Sequence, residues 1–158
     1  AERAAAVGST IDFCIGARNK DLLLFTNRAK QIPNTTIHVA TNDGSAGHRG
    51  YVTDILKKIL QQRSTVETRH ASSLLVSACG PELMEKRVLD LCNQYQVECE
   101  ISIERYMKCG FGICGQCCAD DLGIRMCIEG PVVSREIANQ LTEFGRYHRD
   151  KAGTKHDY

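Results

Sequence analysis

No apolar run in this chain approaches the roughly 20 residues that a membrane-spanning helix needs, although hydrophobic residues make up 42% of it. Charge of one sign is also missing: Lys plus Arg number 20 and Asp plus Glu 19, a net charge of +1. There is no basic excess to attract nucleic acid and no Lys/Arg run to meet an anionic membrane, so neither is expected as a partner. The opening residues Ala1-Glu2-Arg3 lack both an initiator Met and the architecture of a signal peptide. No internal repeat and no low-complexity tract occurs, and the Gly-x-Gly-x-x-Gly dinucleotide fingerprint is absent. Five histidines (His38, His48, His70, His148, His156) are scattered, and none stands at a useful sequence spacing from a carboxylate. The sequence therefore carries no constellation for hydrolysis or group transfer.

What the chain has in excess is cysteine: nine in 158 residues. A secreted disulfide framework is usually shorter and even in count. Here the count is odd, and Cys109, Cys114, Cys117, Cys118 and Cys127 crowd into one segment. A metal site in a reducing compartment, the cytoplasm, fits better. Cys109-Gly-Phe-Gly-Ile-Cys114-Gly-Gln-Cys117 gives C-x4-C-x2-C, and Cys127 follows. This is the spacing of plant-type [2Fe–2S] ligation. Gly110, Gly112 and Gly115 permit the sharp turns that aim backbone N–H groups at sulfur. A structural zinc site is the competing reading, but zinc loops favour two short C-x(2–4)-C knuckles well separated in sequence. Cys118 as a ligand would give C-x3-C and is left out. Cys14, Cys92 and Cys99 fall in strand or helix patterns and read as core thiols.

Before the cysteine segment, apolar β-rich runs alternate with helical patterns. Residues 1–7 read as the end of a helix closed by Gly8, and 10–16 as a strand. Residues 19–32 read as a helix capped by Asn19 with Leu22, Leu23, Phe25, Ala29 and Ile32 on its buried face. A strand at 36–41, a Gly-rich loop at 42–50 and a helix at 52–60 follow. Then come a strand at 74–79, a helix from Pro81 to about Tyr95 and a strand at 97–103. Such alternation predicts an α/β fold with a parallel, Rossmann-like sheet covered by helices on both faces. One more helix is expected at 134–144 with Ser134 as cap, and a polar, partly mobile tail at 146–158. Three turns after strands, Gly16-Ala17-Arg18, residues 41–50 and Cys79-Gly80-Pro81, would gather at the carboxyl edge of such a sheet, where nucleotides bind. Arg18, His48 and Arg49 leave the choice between NADH and NADPH open.

The segments GAR, TNDGSAGHRGYVTDIL and CGPELM resemble the pyridine-nucleotide module of ferredoxin reductase-like flavoproteins. With Glu104-Arg105-Tyr-Met107-Lys-Cys109 and Cys127-Ile-Glu-Gly130-Pro131, the whole is similar to the electron transfer subunit family of dihydroorotate dehydrogenase B. A close cousin is the small subunit of NADH-dependent ferredoxin:NADP oxidoreductase, or sulfide dehydrogenase. The resemblance implies three regions: a nucleotide-binding domain at 1–103, a [2Fe–2S] domain at 104–133, and a helix and tail at 134–158. It implies cluster ligation by Cys109, Cys114, Cys117 and Cys127. It also implies NAD(H) contacts near Gly16, Arg18, Thr41, Asp43, Gly44, Ser45, Cys79, Gly80 and Pro81, with Cys79 near the nicotinamide–flavin contact. In the family, electrons pass from NADH through FAD and the cluster to an FMN-containing catalytic subunit in pyrimidine synthesis, which implies a heterotetramer. The family's FAD-binding barrel and Gly-Gly-x-Gly-x-Ala-Pro turn do not occur in this sequence. The chain is therefore expected to be the carboxyl part of a longer protein, missing a central strand, poorly stable alone and unable to hold FAD.

Overall fold

The computed structural model describes residues 1–66, 74–119 and 122–158. His70 and, within the cysteine segment, Asp120 and Asp121 lie outside them. By packing, the chain divides into two compact units, Ala1–Arg63 and Ser64–Tyr158.

In the first unit, α1 (Glu2–Ala6) ends at Gly8, whose φ of 85° stops the helix. The β-branched and aromatic residues of β1 (Ile11–Ala17) and β2 (Thr35–Thr41) pair in parallel, Ile11 opposite Thr35 through Ala17 opposite Thr41. The short β3 (His48–Arg49) adds to β2, also in parallel. Helix α3 (Val52–Val66) buries Thr53, Ile55 and Leu60. The helix expected at 19–32 is interrupted. A 3-10 turn at Lys20–Leu22 is capped by the Asn19 side chain, and α2 (Thr26–Ala29) starts only after Phe25, which sits at φ 61°. The physical reasons are two. Phe25 stands in the left-handed region, through which a right-handed helix cannot run. Leu22, Leu24 and Phe25 are also more than half exposed, and of the expected face only Ala29 is buried.

In the second unit, β4 (Leu75–Ala78) pairs in parallel with β5 (Glu98–Ser102), and β8 (Val132–Ser134) closes on β5 antiparallel. Helix α4 (Glu82–Tyr95) joins β4 to β5 and presents Glu85, Val88, Leu89, Leu91 and Cys92 inward, the 3.6-residue period of one buried face. Its partners in the core are Val97, Cys99, Ile101 and Ile103. The buried Cys92 thiol is pushed far up by its hydrogen bond to Cys99 and by burial, as expected of core thiols. Helix α5 (Arg135–Gln140) is shorter than expected but starts at Ser134, whose hydroxyl accepts from the Ile137 N–H.

The tail is not the loose segment expected from its polarity. β9 (Tyr147–Arg149) and β10 (Lys155–Asp157) form an antiparallel hairpin. The Asp150 carboxylate closes the turn by accepting from the Ala152 and Thr154 N–H groups at 2.8 and 2.9 Å. The Lys155 ammonium sits 3.9 Å from the Tyr147 ring centre. Among the described residues, no helix is long and apolar enough to cross a membrane.

Candidate functional site

The first unit brings Gly16, Arg18, Thr41, Asp43, Gly44 and Ser45 together at the carboxyl ends of β1 and β2. The two chain segments leave the sheet side by side, Asn42 N–H on Ala17 C=O and Asp43 N–H on Arg18 C=O. The loop between β2 and β3 is closed from within. The buried Thr41 hydroxyl donates to the Ala46 carbonyl at 2.8 Å and accepts from its N–H at 3.0 Å. Asp43 accepts from the Ser45 hydroxyl and N–H at 2.6 and 2.9 Å, and these bonds, the hydroxyl first, hold its carboxyl low. Gly16 and Gly47 are required sterically. A Cβ would lie 2.9 Å from the Val52 Cβ at Gly16, and 2.1 Å from the Val39 carbonyl oxygen at Gly47.

In the second unit, Cys79, Gly80 and Pro81 form the turn from β4 into α4, with Pro81 at the cap position. Cys79 is exposed. The Gly80 N–H donates to Glu85 Oε1 at 3.1 Å. Glu85 is 1% exposed, and burial raises its carboxyl to about 7.

The cysteine segment has no regular structure from Glu104 to Cys117, and several of its backbone N–H groups turn to sulfur. The backbone N–H groups of Cys114, Phe111 and Ile113 point at the Cys109 sulfur, which lowers that thiol to about 6. The Cys114 thiol adds a further hydrogen bond to the same atom. Beyond it, β6 (Cys118–Ala119) and β7 (Ile124–Arg125) form a small hairpin whose Met126 N–H reaches the Cys117 carbonyl at 3.2 Å. This places Cys127 beside Cys117, with a hydrogen bond between the two thiols. Burial raises Cys127, and the Gly112 N–H opposes that rise. The four thiols thus meet as two pairs, Cys109 with Cys114 and Cys117 with Cys127. Among the described residues, no three His, Cys, Asp or Glu side chains surround the position of one ion. Gly110, Gly112 and Gly115 all have φ between 70° and 81°. Cys118 lies in β6, where burial raises its thiol.

The residues that the sequence reading missed are those that hold the cysteine segment. Arg125 donates to the Gly112 carbonyl at 3.1 Å and pairs with Glu129. Gln116 donates to the Asp150 carbonyl in the tail turn at 3.1 Å. Arg125 and Glu129 lie in a strand and the turn after it, where a four-residue spacing carries no helical signal, and nothing local marked Gln116. The histidines also find carboxylates across the fold: His38 with Asp12 at 2.8 Å, His156 with Asp150 at 3.1 Å and His48 with Asp54 at 3.7 Å. The first two pairs stand on neighbouring strands or across a turn, contacts that spacing along the chain does not reveal.

A mixed α/β chain with parallel strands and a thiol-lined loop is similar in fold to a ferredoxin–NADP oxidoreductase. The chain is similar to one in the structure of the NADH-dependent reduced ferredoxin–NADP oxidoreductase, studied for flavin-based electron bifurcation, with a TM-score of 0.66 and 27% identity over 88% of this chain and 48% of the other. Residues 104–137 match the iron–sulfur cluster binding domain of dihydroorotate dehydrogenase B. Two relatives named "Probable dihydroorotate dehydrogenase B (NAD(+)), electron transfer subunit" are each 40% identical. The one from Methanocaldococcus jannaschii aligns over 94% of this chain and 54% of its own length, and the one from Methanothermobacter thermautotrophicus over 98% and 54%. The chain is thus a relative of the dihydroorotate dehydrogenase B electron transfer subunits along nearly all of its length, and it spans about half the length of those relatives.

Proposed function

We propose that this chain carries electrons from NADH, through FAD held by a longer protein, to the FMN-containing catalytic subunit of a dihydroorotate dehydrogenase. The setting is cytoplasmic pyrimidine synthesis, and the assembly a heterotetramer. The observation that carries the reading is the pairing of thiols Cys109/Cys114 and Cys117/Cys127 in a loop whose N–H groups converge on sulfur. Two pairs suit a binuclear cluster, each iron of which would take two thiolates from the chain. Bound there, a [2Fe–2S] cluster supplies one-electron transfer between a flavin that takes two electrons and its acceptor.

The chain's own residues do the rest. Cys109, already low in pKa, is ready to bind as thiolate. The N–H groups of Phe111, Ile113 and Cys114 spread its negative charge, and Arg125 holds the Gly112 carbonyl. The contacts assigned to NAD(H) are Gly16, Arg18, Thr41, Asp43, Gly44 and Ser45 in the first unit and, in the second, Cys79, Gly80 and Pro81, with Cys79 assigned to the nicotinamide. In this reading the elements of residues 1–103, in the first unit and the start of the second, serve the nucleotide in the Rossmann-like manner, residues 104–133 the cluster, and 134–158 are a closing helix and tail.

The test is iron, zinc, acid-labile sulfide and the visible spectrum of the anaerobically purified full-length protein. About two irons and two sulfides per chain, with absorption that bleaches on reduction, is the expected result. Zinc without sulfide overturns it. The structural likeness to the ferredoxin–NADP oxidoreductase favours a second reading in which ferredoxin and NADP replace the dihydroorotate subunit as partners. Reduction of orotate with the co-purified catalytic subunit, against reduction of ferredoxin, separates the two.

A further inference from the structure

Arg105 lies between the two chemistries of the second unit. It follows β5 and precedes Cys109 by four residues. Its guanidinium is 4% exposed and lies between two buried carboxylates. Nη1 donates to Glu82 Oε2 and to the Glu104 carbonyl, both at 2.7 Å, and Nε and Nη2 donate to Glu143 Oε1 at 2.9 and 2.8 Å. Glu82 is the first residue of α4 and directly follows Pro81. It also accepts from the Tyr158 hydroxyl at 2.8 Å and from the Gly145 N–H at 2.7 Å.

Such a node is a poor way to add stability, because three desolvated charges return little that apolar side chains would not. It is a good way to fix geometry, since a planar guanidinium engaged along two edges allows one orientation. What it fixes is the stem of the thiol loop against the first turn of α4. From that same turn Glu85 reaches back to the Gly80 N–H. One turn of helix therefore grips the Cys79-Gly80-Pro81 turn with one carboxylate and the thiol-loop stem with another.

We propose that Arg105 is a positioning residue that transmits occupancy of the Cys79-Gly80-Pro81 turn to the thiol loop. The inference rests on the cluster and nucleotide reading above. The test uses full-length protein with its cofactors, fully reduced by dithionite, and compares the electron paramagnetic resonance of the cluster with and without NADH. Under those conditions no net electron flow occurs, so only geometry is read. NADH shifts the wild-type signal. Arg105→Met and Arg105→Lys keep their iron and sulfide and lose the shift, because neither side chain offers the fork. Glu143→Gln keeps the Arg105–Glu82 link and keeps the shift. A wild-type signal indifferent to NADH overturns the inference, as does an Arg105→Met signal that shifts like the wild type. If Arg105→Met loses its iron, Arg105→Lys and Glu82→Gln decide on the same criterion. Wild-type protein that holds no iron or binds no NADH by calorimetry overturns the underlying reading as well, and those measurements separate the two failures.

Discussion

The loop between β2 and β3 and the loop leading from Arg105 into β6 both use glycine at positive φ, but for different reasons. At Gly47 a Cβ would meet the Val39 carbonyl oxygen at 2.1 Å, so that glycine lets backbone pack on backbone. At Gly110 nothing lies within 4 Å of the Cβ position, so only its φ of 74° calls for glycine. The first loop satisfies its polar groups internally, through Thr41, Asp43 and Ser45. In the second, three N–H groups within the stretch from Phe111 to Cys114 turn to one sulfur, while Phe111 and Ile113 stand 64% and 79% exposed. The first loop is complete as a fold. The second has the form of a shell around a charged centre, and its stability is tied to what the thiols hold.

The sharpest way to break that contrast is to remove a thiol. Cys117→Ser and Cys127→Ser are expected to abolish the visible spectrum and the acid-labile sulfide of the full-length protein, whereas Cys118→Ser leaves both unchanged. An equal loss in Cys118→Ser would put the third ligand in doubt between Cys117 and Cys118. The next largest effect comes from glycine. Gly47→Ala forces a backbone clash in addition to an unfavourable φ and should cost about 3 kcal/mol or more. Gly110→Ala carries only the left-handed penalty, about 1–2 kcal/mol. Urea denaturation of the full-length protein measures both, and equal costs would erase the distinction.

Glu85 tests the link between the Cys79-Gly80-Pro81 turn and α4. Its folded carboxyl titrates at about 7, above the ordinary 4.5, because it is buried. The unfolded chain therefore releases this proton first as pH rises, and Glu85's contribution to stability, fully present below about 4.5, is lost progressively up to about 7. Glu85→Gln keeps an acceptor for the Gly80 N–H and has no proton to lose. It should be more stable than wild type at pH 7.5 by up to about 3 kcal/mol, with no difference near pH 4.5. A gain that is the same at both pH values would show that ionisation is not its cause.

Much of this molecule was legible in its sequence because the signals were local. The strand alternation of 10–16 and 36–41, the helix behind Pro81 and the Ser134 cap all rest on residues within a few positions of one another. The C-x4-C-x2-C spacing is local too, and it pointed to the thiols that the fold gathers. The failures share one cause, since in each a distant contact decided the outcome. Ser45, 25 residues on, holds the Lys20 N–H, and the helix expected at 19–32 breaks at Phe25. Tyr158 and Asp150 anchor a tail that composition alone marks as loose. Arg105 sits in a quoted motif, yet its partners Glu82 and Glu143 lie 23 and 38 residues away, and no periodicity joins them.

The smallest expected effect separates the two loops most cleanly. Ser45→Ala removes the hydroxyl that donates to Asp43 and accepts from the Lys20 N–H. The loss should be about 1 kcal/mol, because the Ser45 N–H bond to Asp43 remains and exposed Lys20 can turn to water. The Asp43 carboxyl, held low chiefly by that hydroxyl, moves back towards its ordinary value. NADH affinity should fall by about a factor of ten or less, in keeping with a loss of that size. Iron content and the NADH response of the cluster signal at saturating nucleotide should stay as in wild type, because Ser45 belongs to the first unit and takes no part in the Glu82–Arg105 node. A change in the cluster signal of Ser45→Ala at saturation would mean that the β2–β3 loop also bears on the thiols, and the two loops would then have to be treated as one site.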